Sequence, residues 1–165
     1  MCNCNKHTKT ETCNTCENNK KPYPSKMLLW FSTKDPKFTS ENLIVNPSTT
    51  NYISHTFVNC PIYNSKGSKI GYKVSDDYVQ QVSFSPNKYI VRLNNTYSFT
   101  SNGKNVGTIS WQYVFENEKN DIFYPVNVPA QSTIISGTGT FKNATGNITL
   151  IPTKDGKRSV TILFT

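Results

Sequence analysis

The sequence has few arginines and no long apolar run, and each shortage narrows the possible functions. Only two of the 18 basic residues are arginine, Arg92 and Arg158. Proteins that read nucleic-acid sequence commonly use arginine for bidentate contacts to bases and phosphates. The longest apolar run, Met27–Phe31, is far shorter than the ~20 residues of a membrane-spanning helix. Nucleic acid is therefore a disfavoured partner, and no membrane partner is predicted.

The first residues also lack the apolar segment of a secretory signal. They are polar, whereas a signal needs an apolar core of ~7–15 residues, so we expect an intracellular protein. The net charge of +8 keeps electrostatic binding to nucleic acid open, because much of it comes from lysines in the first forty residues. A composition rich in Lys and Asn also follows from an AT-rich genome, and we favour that explanation.

Three zones along the chain differ in character. Residues 1–24 are polar, carry four of the five cysteines and show no periodicity. Residues 25–50 hold two short apolar clusters separated by Asp35-Pro36, and X-Pro steps disfavour helix in the preceding residue. We predict that this second zone is an extended arm that lays apolar patches on another surface. Residues 51–165 read as one β domain.

Period-two alternation of apolar residues dominates the third zone. One face of the segment 89–99 carries Tyr89, Val91, Leu93, Tyr97 and Phe99. The next segment repeats the pattern, and between the two lies Asn102-Gly103, a strong hairpin signal because both positions tolerate positive φ. About seven such segments and no helical periodicity predict an all-β sandwich or closed barrel. Consecutive hairpins favour the barrel, which removes exposed sheet edges.

A glycine-rich stretch, SGTGTFKNATGN at 136–147, is similar in composition to a phosphate-binding loop. It lacks the spacing and the lysine of that motif, and no helix follows whose N-terminus could hold a phosphate. Glycines within a strand pattern mark bulges, bends or close backbone approach. We therefore predict structural roles for Gly137, Gly139 and Gly146, with Gly146 relieving crowding midway along a strand.

The same stretch resembles the G-T-G-x-F/Y-x-x-A-x-G signature of the dirigent and allene oxide cyclase barrel families. The segments GSKIGY, YIVRLNNTYSF and VGTISWQYVF follow the order of other family elements, and the resemblance covers about residues 52–165. It implies a closed antiparallel β-barrel of about eight strands, often trimeric, with an apolar cavity. The predicted fold class is thus an all-β barrel of this type with an extended N-terminal arm.

The resemblance implies either cyclisation of an epoxide-type lipid or templated coupling of phenolic radicals, both in an apolar cavity where an acidic residue is important. One of Asp76 and Asp77 should point inward, because side chains alternate along a strand. His55 is the other acid–base candidate, although a lone strand histidine is more often structural. The residues predicted to line a cavity are Trp111, Tyr113, Tyr97, His55, Asp76 and Asp77. No catalytic residue is assigned, because the family's acidic positions do not match residue by residue.

Four cysteines near the start could hold a metal ion. Cys2, Cys4, Cys13 and Cys16 read C-x-C-x8-C-x-x-C, and a C-x-x-C turn supplies two of the four ligands of a tetrahedral zinc site. Disulfides, or no defined role, remain open. Cys60, by contrast, is expected to be a small buried apolar residue.

Three functions remain open at this stage. The first is a non-enzymatic structural or assembly protein that uses the barrel as an interaction module, in a homo-oligomer with a trimer favoured or in a larger assembly such as the particle of a large DNA virus. The second is a cyclase- or dirigent-like protein that binds a small apolar ligand, which predicts an open cavity of ~300 Å³ or more. The third is electrostatic binding of nucleic acid by the lysine-rich arm, which predicts affinity that falls steeply with salt.

Overall fold

Nine β-strands account for most of the computed structural model, which describes residues 21–45, 53–84, 87–118 and 125–165. One short 3₁₀ turn, Gly139–Phe141, follows the seventh strand. Within the described residues, no helix is long and apolar enough to cross a bilayer. The strands are β1 (Lys26–Ser32), β2 (Thr39–Val45), β3 (Ile53–Asn64), β4 (Lys69–Phe84), β5 (Asn87–Ser101), β6 (Lys104–Asn117), β7 (Ala130–Gly137), β8 (Gly146–Pro152) and β9 (Lys157–Phe164).

The strands form one antiparallel sheet that closes on itself. Their order is β1-β9-β8-β7-β6-β5-β4-β3-β2, and β1 also pairs with β3. That additional pairing closes an eight-stranded barrel and leaves β2 as one strand outside it. The prediction of a closed antiparallel barrel from consecutive hairpins is thereby confirmed. The Asn102-Gly103 turn between β5 and β6 has positive φ at both residues, 50° and 74°, as the dipeptide predicts.

The segment predicted to be an extended arm instead forms two strands of the sheet. Its first apolar cluster is β1, which pairs with β9 along its whole length and with β3 at Leu29 and Trp30. Leu29 and Phe31 point into the barrel and are buried, so their alternation makes this segment part of the wall. The second cluster is β2, which pairs with β3 farther along, from Thr39 opposite Asn59 to Val45 opposite Ile53.

The strands β3 to β6 are longer than the others. They have 12, 16, 15 and 14 residues, whereas β1, β7, β8 and β9 have only seven or eight. One side of the barrel is therefore a tall curved wall and the other side a short one.

The interior holds a large and a small apolar cluster. The large one contains Tyr97, Phe99, Ile109 and Trp111 together with apolar residues of β1, β3, β8 and β9. The small one, on the tall wall, consists of Val79, Val91 and Leu93, against which Tyr89 and Phe115 pack. The alternating faces of β5 and β6 thus point inward, and burial of these side chains is the main stabilising contribution.

The glycine-rich stretch interrupts the sheet instead of continuing it. The chain leaves β7 at Gly137, forms the 3₁₀ turn and re-enters the sheet at Gly146, so Gly146 begins a strand and does not lie midway along one. A Cβ at Gly137 would stand 2.1 Å from the Phe141 carbonyl oxygen, and a Cβ at Gly146 would stand 2.0 Å from the Leu163 carbonyl oxygen. Gly139 has φ +56° and would place its Cβ 2.4 Å from the Val106 carbonyl oxygen. These close approaches exclude larger residues.

Candidate functional site

A row of polar side chains lies inside the barrel on β4. Lys73, Ser75 and Asp77 alternate with outward residues and are buried. The Lys73 ammonium donates a hydrogen bond to Ser75 Oγ at 2.6 Å, and the Ser75 hydroxyl donates to Asp77 Oδ2 at 3.0 Å. The three groups form a continuous chain that can pass a proton between an amine and a carboxyl.

Neighbouring strands complete a polar layer between the two apolar clusters. In the β4–β5 register, Lys73 lies opposite Tyr97 of the large cluster, Ser75 opposite Asn95, and Asp77 opposite Leu93 of the small cluster. Arg158 on β9 is also buried. Two buried polar atoms of this layer, Asp77 Oδ1 and Asn95 Nδ2, have no hydrogen-bond partner among the residues that the structure describes. Such atoms are costly in a barrel interior unless something else satisfies them.

These groups converge on a partly open cavity of about 50 Å³. It exceeds the ~30 Å³ that one water occupies in the liquid and is far below the ~300 Å³ of a pocket for a drug-sized ligand. The cavity is therefore smaller than the ligand-binding hypothesis predicts. Its lining consists of Phe31, Thr33, Phe38, Val58, Lys73, Asp77, Leu93, Asn95, Leu150 and Arg158.

The cavity lies at the seam where the barrel closes. Strand β1 pairs with β3 only at Asn64 and Tyr63, and β2 takes up pairing with β3 at Asn59. Between them the connection from Thr33 to Phe38 leaves the sheet, and both of these residues line the cavity. Phe38 donates its backbone N–H to the Asp35 carbonyl at 2.9 Å, which fixes this turn beside the site.

Burial shifts the proton affinities of both charged groups on β4. It raises the pKa of Asp77 from 3.8 to about 6, while Lys73, the Ser75 hydroxyl and a backbone hydrogen bond oppose the rise. Burial lowers the pKa of Lys73, which the Asp77 charge opposes and the nearby Arg158 charge reinforces. In both groups desolvation of the charged form outweighs the attraction between them. An acid with a pKa near neutrality is suited to giving and taking protons.

The cavity residues predicted from sequence divide between the two faces of the wall. Asp77 points inward and lines the cavity, whereas Asp76 lies on the outer face. There Asp76 Oδ1 contacts His55 Nε2, and the Tyr78 hydroxyl donates to Asp76 Oδ2 at 3.1 Å. The His55 ring stacks on Tyr78 with centroids 4.2 Å apart. His55 and Asp76 thus form a cluster outside the barrel and do not line the cavity, because the side chains at their positions on β3 and β4 point outward.

The predicted aromatic lining instead fills the barrel. Tyr97 and Trp111 are buried in the large cluster with ring centroids 6.1 Å apart, and Tyr113 packs against its edge. None of the three belongs to the lining of the cavity described above. Within the described part of the chain, the Tyr97 hydroxyl and Trp111 Nε1 have no well-aligned hydrogen bond. These large rings explain why the open volume is small.

The predicted metal ligands Cys2, Cys4, Cys13 and Cys16 lie outside the described residues, and zinc binding there stays a prediction. In the part of the chain that the structure describes, no group of three or more His, Cys, Asp and Glu side chains is placed to hold a metal ion. Cys60 is fully buried, as expected for a small apolar residue. Burial raises the pKa of its thiol to about 11.

Four polar site residues were missed in the sequence: Lys73, Ser75, Asn95 and Arg158. The alternation of side chains along a strand could have identified two of them. Asn95 shares its face with Leu93 and Tyr97, and Arg158 shares its face with three apolar residues of β9 that are buried. Lys73 and Ser75 gave no such signal, because both faces of β4 carry polar residues.

Chemically, the site combines a proton relay with charged and hydrogen-bonding groups at an apolar wall. It offers one carboxyl acceptor, one amide donor and two cations around a space for a small group. This arrangement can bind a small polar group and exchange a proton with it.

Comparisons with known proteins support the fold. No protein-family model matches the chain, and no curated protein sequence is significantly similar to it. Among solved structures, a pyocyanin demethylase superposes with a TM-score of 0.56 and 13% identity, over 85% of this chain and 99% of that one. A pterocarpan synthase dirigent protein superposes with a TM-score of 0.51 and 13% identity, over 85% of this chain and 84% of that one. The chain therefore has the barrel fold of dirigent and allene oxide cyclase-like proteins.

Proposed function

We propose that this barrel binds a small molecule in the cavity beside Asp77 and exchanges a proton with it. The observation that carries the proposal is the convergence of buried Lys73, Asp77, Asn95 and Arg158 on one cavity, with two of their polar atoms unpartnered. Burying these groups costs free energy, and a barrel that served only as a scaffold would be as stable with apolar residues there.

The fold is compatible with this role. The names of the two similar structures describe a demethylase and a synthase-type dirigent protein, so this barrel shape accommodates small-molecule chemistry. Because one fold hosts unrelated functions, the support comes from the polar layer and not from the neighbours. The size of the cavity limits the bound group to a few non-hydrogen atoms.

The test is to fill the cavity and measure ligand-dependent stability of the full-length chain. Thermal unfolding is recorded against a panel of small acids, amides, phenols and amines. A ligand at a hundred times its Kd stabilises by about 2.7 kcal/mol, which gives a clear rise in Tm. Val58→Phe places a ring in the cavity, whereas Val74→Phe adds the same ring on the outer face, where Val74 is exposed.

We expect at least one compound to stabilise the wild type and the Val74→Phe variant but not the Val58→Phe variant. Equal stabilisation of all three proteins would place the ligand elsewhere. No stabilisation by any class of compound would contradict the proposal.

Assembly is a second candidate function, and an apolar outer patch favours it. Phe57, Tyr72 and Val74 are exposed on the outer face of β3 and β4, next to a groove of about 370 Å³ that Thr39 and Ser40 of β2 also line. In this proposal the barrel is a structural module that forms a homo-oligomer, with a trimer favoured, or joins a larger assembly such as a DNA virus particle. Exposed apolar clusters commonly mark such contacts.

Sedimentation of the full-length chain under reducing conditions tests the assembly proposal. A wild-type oligomer that dissociates on Val74→Lys, but not on Val126→Lys, would support contact through this patch, since both valines are exposed. A monomer at high concentration would refute it.

A further inference from the structure

Lys73 is a buried amine at the wall of the cavity. The residue is only 5% exposed, it lines the cavity, and its Nζ lies 5.3 Å from the centroid of the Phe31 ring. Desolvation of the charged form lowers the pKa of Lys73; the Asp77 charge opposes this fall, and the Arg158 charge adds to it. Such a lysine has a larger neutral fraction than an exposed lysine at the same pH, and only the neutral amine is a nucleophile.

Loss of the Lys73 proton also suits the charges of the lining. Among the described residues that line the cavity, the other charged groups are Arg158 and Asp77, whose charges cancel. A neutral amine at this position therefore leaves no net charge on the lining, which is the more favourable arrangement in a desolvated space.

The groups around the amine can move the protons of a condensation reaction. The Lys73 amine donates to Ser75 Oγ at 2.6 Å, and the Ser75 hydroxyl donates to Asp77 Oδ2 at 3.0 Å. Among the described residues, Asp77 Oδ1 and Asn95 Nδ2 lack hydrogen-bond partners, and both side chains are buried and line the cavity. A carbonyl oxygen in that space would give the Asn95 amide an acceptor, and such a hydrogen bond polarises the carbonyl group towards attack.

We propose that Lys73 condenses with a small aliphatic aldehyde in this cavity and holds it as an imine. This inference rests on the proposed function and names its substrate class. Lys73 Nζ attacks the carbonyl carbon, a C–N bond forms, and the π electrons of the C=O bond move to the oxygen. One amine proton passes through Ser75 and Asp77 to that oxygen, which gives a carbinolamine. The nitrogen lone pair then forms the C=N bond as the hydroxyl leaves, and the second amine proton reaches the hydroxyl through the same groups, so the products are an imine and water.

The size and lining of the cavity select the carbonyl compound. A space of about 50 Å³ admits a group of a few non-hydrogen atoms, and an aldehyde is smaller than a ketone because it carries a single carbon substituent. The side chains of Phe31, Phe38 and Leu150 line the same space, so this substituent would lie against hydrocarbon and rings. Acetaldehyde meets these limits, whereas benzaldehyde is too large.

The experiment treats the full-length chain at pH 7 with acetaldehyde or benzaldehyde and sodium cyanoborohydride, which reduces imines to stable amines. Peptide mass mapping then measures the rate of alkylation at each lysine, with the exposed Lys104 at the start of β6 as the internal comparison. Each unit by which a lysine pKa falls raises the neutral fraction about tenfold. We therefore expect acetaldehyde to label Lys73 roughly tenfold faster than Lys104. Benzaldehyde should label Lys104 but not Lys73.

Val58→Phe tests whether the aldehyde reaches the amine through the cavity, because Val58 lines it. Val74→Phe is the matched control, since it adds the same ring on the outer face, where Val74 is exposed. We expect Val58→Phe to abolish the preference for Lys73 and Val74→Phe to keep it. If Val58→Phe fails to fold, the comparison of acetaldehyde with benzaldehyde on the wild type makes the same test.

The outcomes separate this inference from the proposed function. Preferential labelling of Lys73 by acetaldehyde that Val58→Phe abolishes supports both. Labelling of Lys73 that is no faster than that of Lys104, or that needs unfolding in urea, would overturn the imine inference; a panel compound that stabilises the wild type but not Val58→Phe would still support the proposed function. Equal labelling of Lys73 in the wild type and Val58→Phe would overturn the inference, because the reaction would not depend on the cavity. No preference for Lys73, together with no hit in the ligand panel, would overturn both.

Discussion

The raised pKa of Asp77 makes the stability of the barrel depend on pH in a way that one substitution should remove. Asp77→Asn keeps the shape of the side chain and abolishes its titration. Because the folded state binds the Asp77 proton more tightly than the unfolded state does, folding is favoured at low pH. Stability from this group is fully present below the unfolded pKa of 3.8 and is lost as pH rises through the folded value of about 6.

The size of the effect follows from the shift. Moving from 3.8 to about 6 is a change of roughly two pH units, and each unit corresponds to about 1.4 kcal/mol. The wild type should therefore lose about 3 kcal/mol of unfolding free energy from this one carboxyl, most of it between pH 4 and pH 6.5. That is a sizeable share of the ~5–15 kcal/mol that stabilises a typical domain.

Urea unfolding of the full-length proteins at half-unit steps from pH 4 to pH 6.5 measures the effect. The informative quantity is the wild-type free energy minus that of Asp77→Asn, because contributions of other groups cancel. The range stops at pH 6.5, just above the folded pKa of about 6 for Asp77, because the loss of stability from this carboxyl is nearly complete there.

We expect the difference between wild type and Asp77→Asn to fall by about 2 kcal/mol, most of the total effect, as the pH rises across this range. Parallel curves for wild type and Asp77→Asn would refute the claim that Asp77 is desolvated inside the barrel. A difference of opposite sign would show that attraction to Lys73 outweighs desolvation.

Three further predictions concern the core and the backbone. Trp111→Ala should cost about 3–5 kcal/mol of unfolding free energy in urea titrations. Trp111→Phe should cost much less, because it keeps an aromatic ring in the core and removes an indole N–H that has no well-aligned hydrogen bond among the described residues; equal costs would contradict the packing. Gly146→Ala should lower the Tm more than Gly67→Ala does, because the Cβ added at Gly146 would stand 2.0 Å from a carbonyl oxygen, whereas the Cβ added at Gly67 would meet open space. The reverse order would refute the close approach. Cys60 should resist iodoacetamide in the native protein and react after unfolding, because it is buried and the pKa of its thiol is raised to about 11. Peptide mass mapping measures the labelling, and rapid labelling of the native protein would contradict the prediction.

The fold was largely predictable because alternation and turn residues are local signals. The faces of β5 and β6 follow from period two, and Asn102-Gly103 specifies the hairpin between them. The closure of the barrel was harder to predict from the sequence. β1 is seven residues long and is separated from β3 by an outside strand, so its place in the wall depends on long-range pairing with β9 that no local pattern contains.

The site was predictable only in part, for a physical reason. That one of Asp76 and Asp77 points inward follows from alternation, but which one does so depends on the register of β4 against the apolar faces of its neighbours. Polar residues on both faces of β4 hide that register. Arg158 reaches the cavity through the closure of the barrel, a contact between distant parts of the chain that sequence spacing does not reveal.

The most direct test of the central claim is to locate a simple anion inside the crystallised full-length protein. Crystals grown in bromide in place of chloride, measured at the bromine absorption edge, reveal bound bromide by its anomalous signal. A polar layer with space for a small group, in which Asn95 Nδ2 has no acceptor among the described residues, predicts a bromide peak in the cavity, within contact distance of Asn95 Nδ2. Bromide at surface lysines with only water in the cavity would contradict the assignment of this polar layer as a binding site.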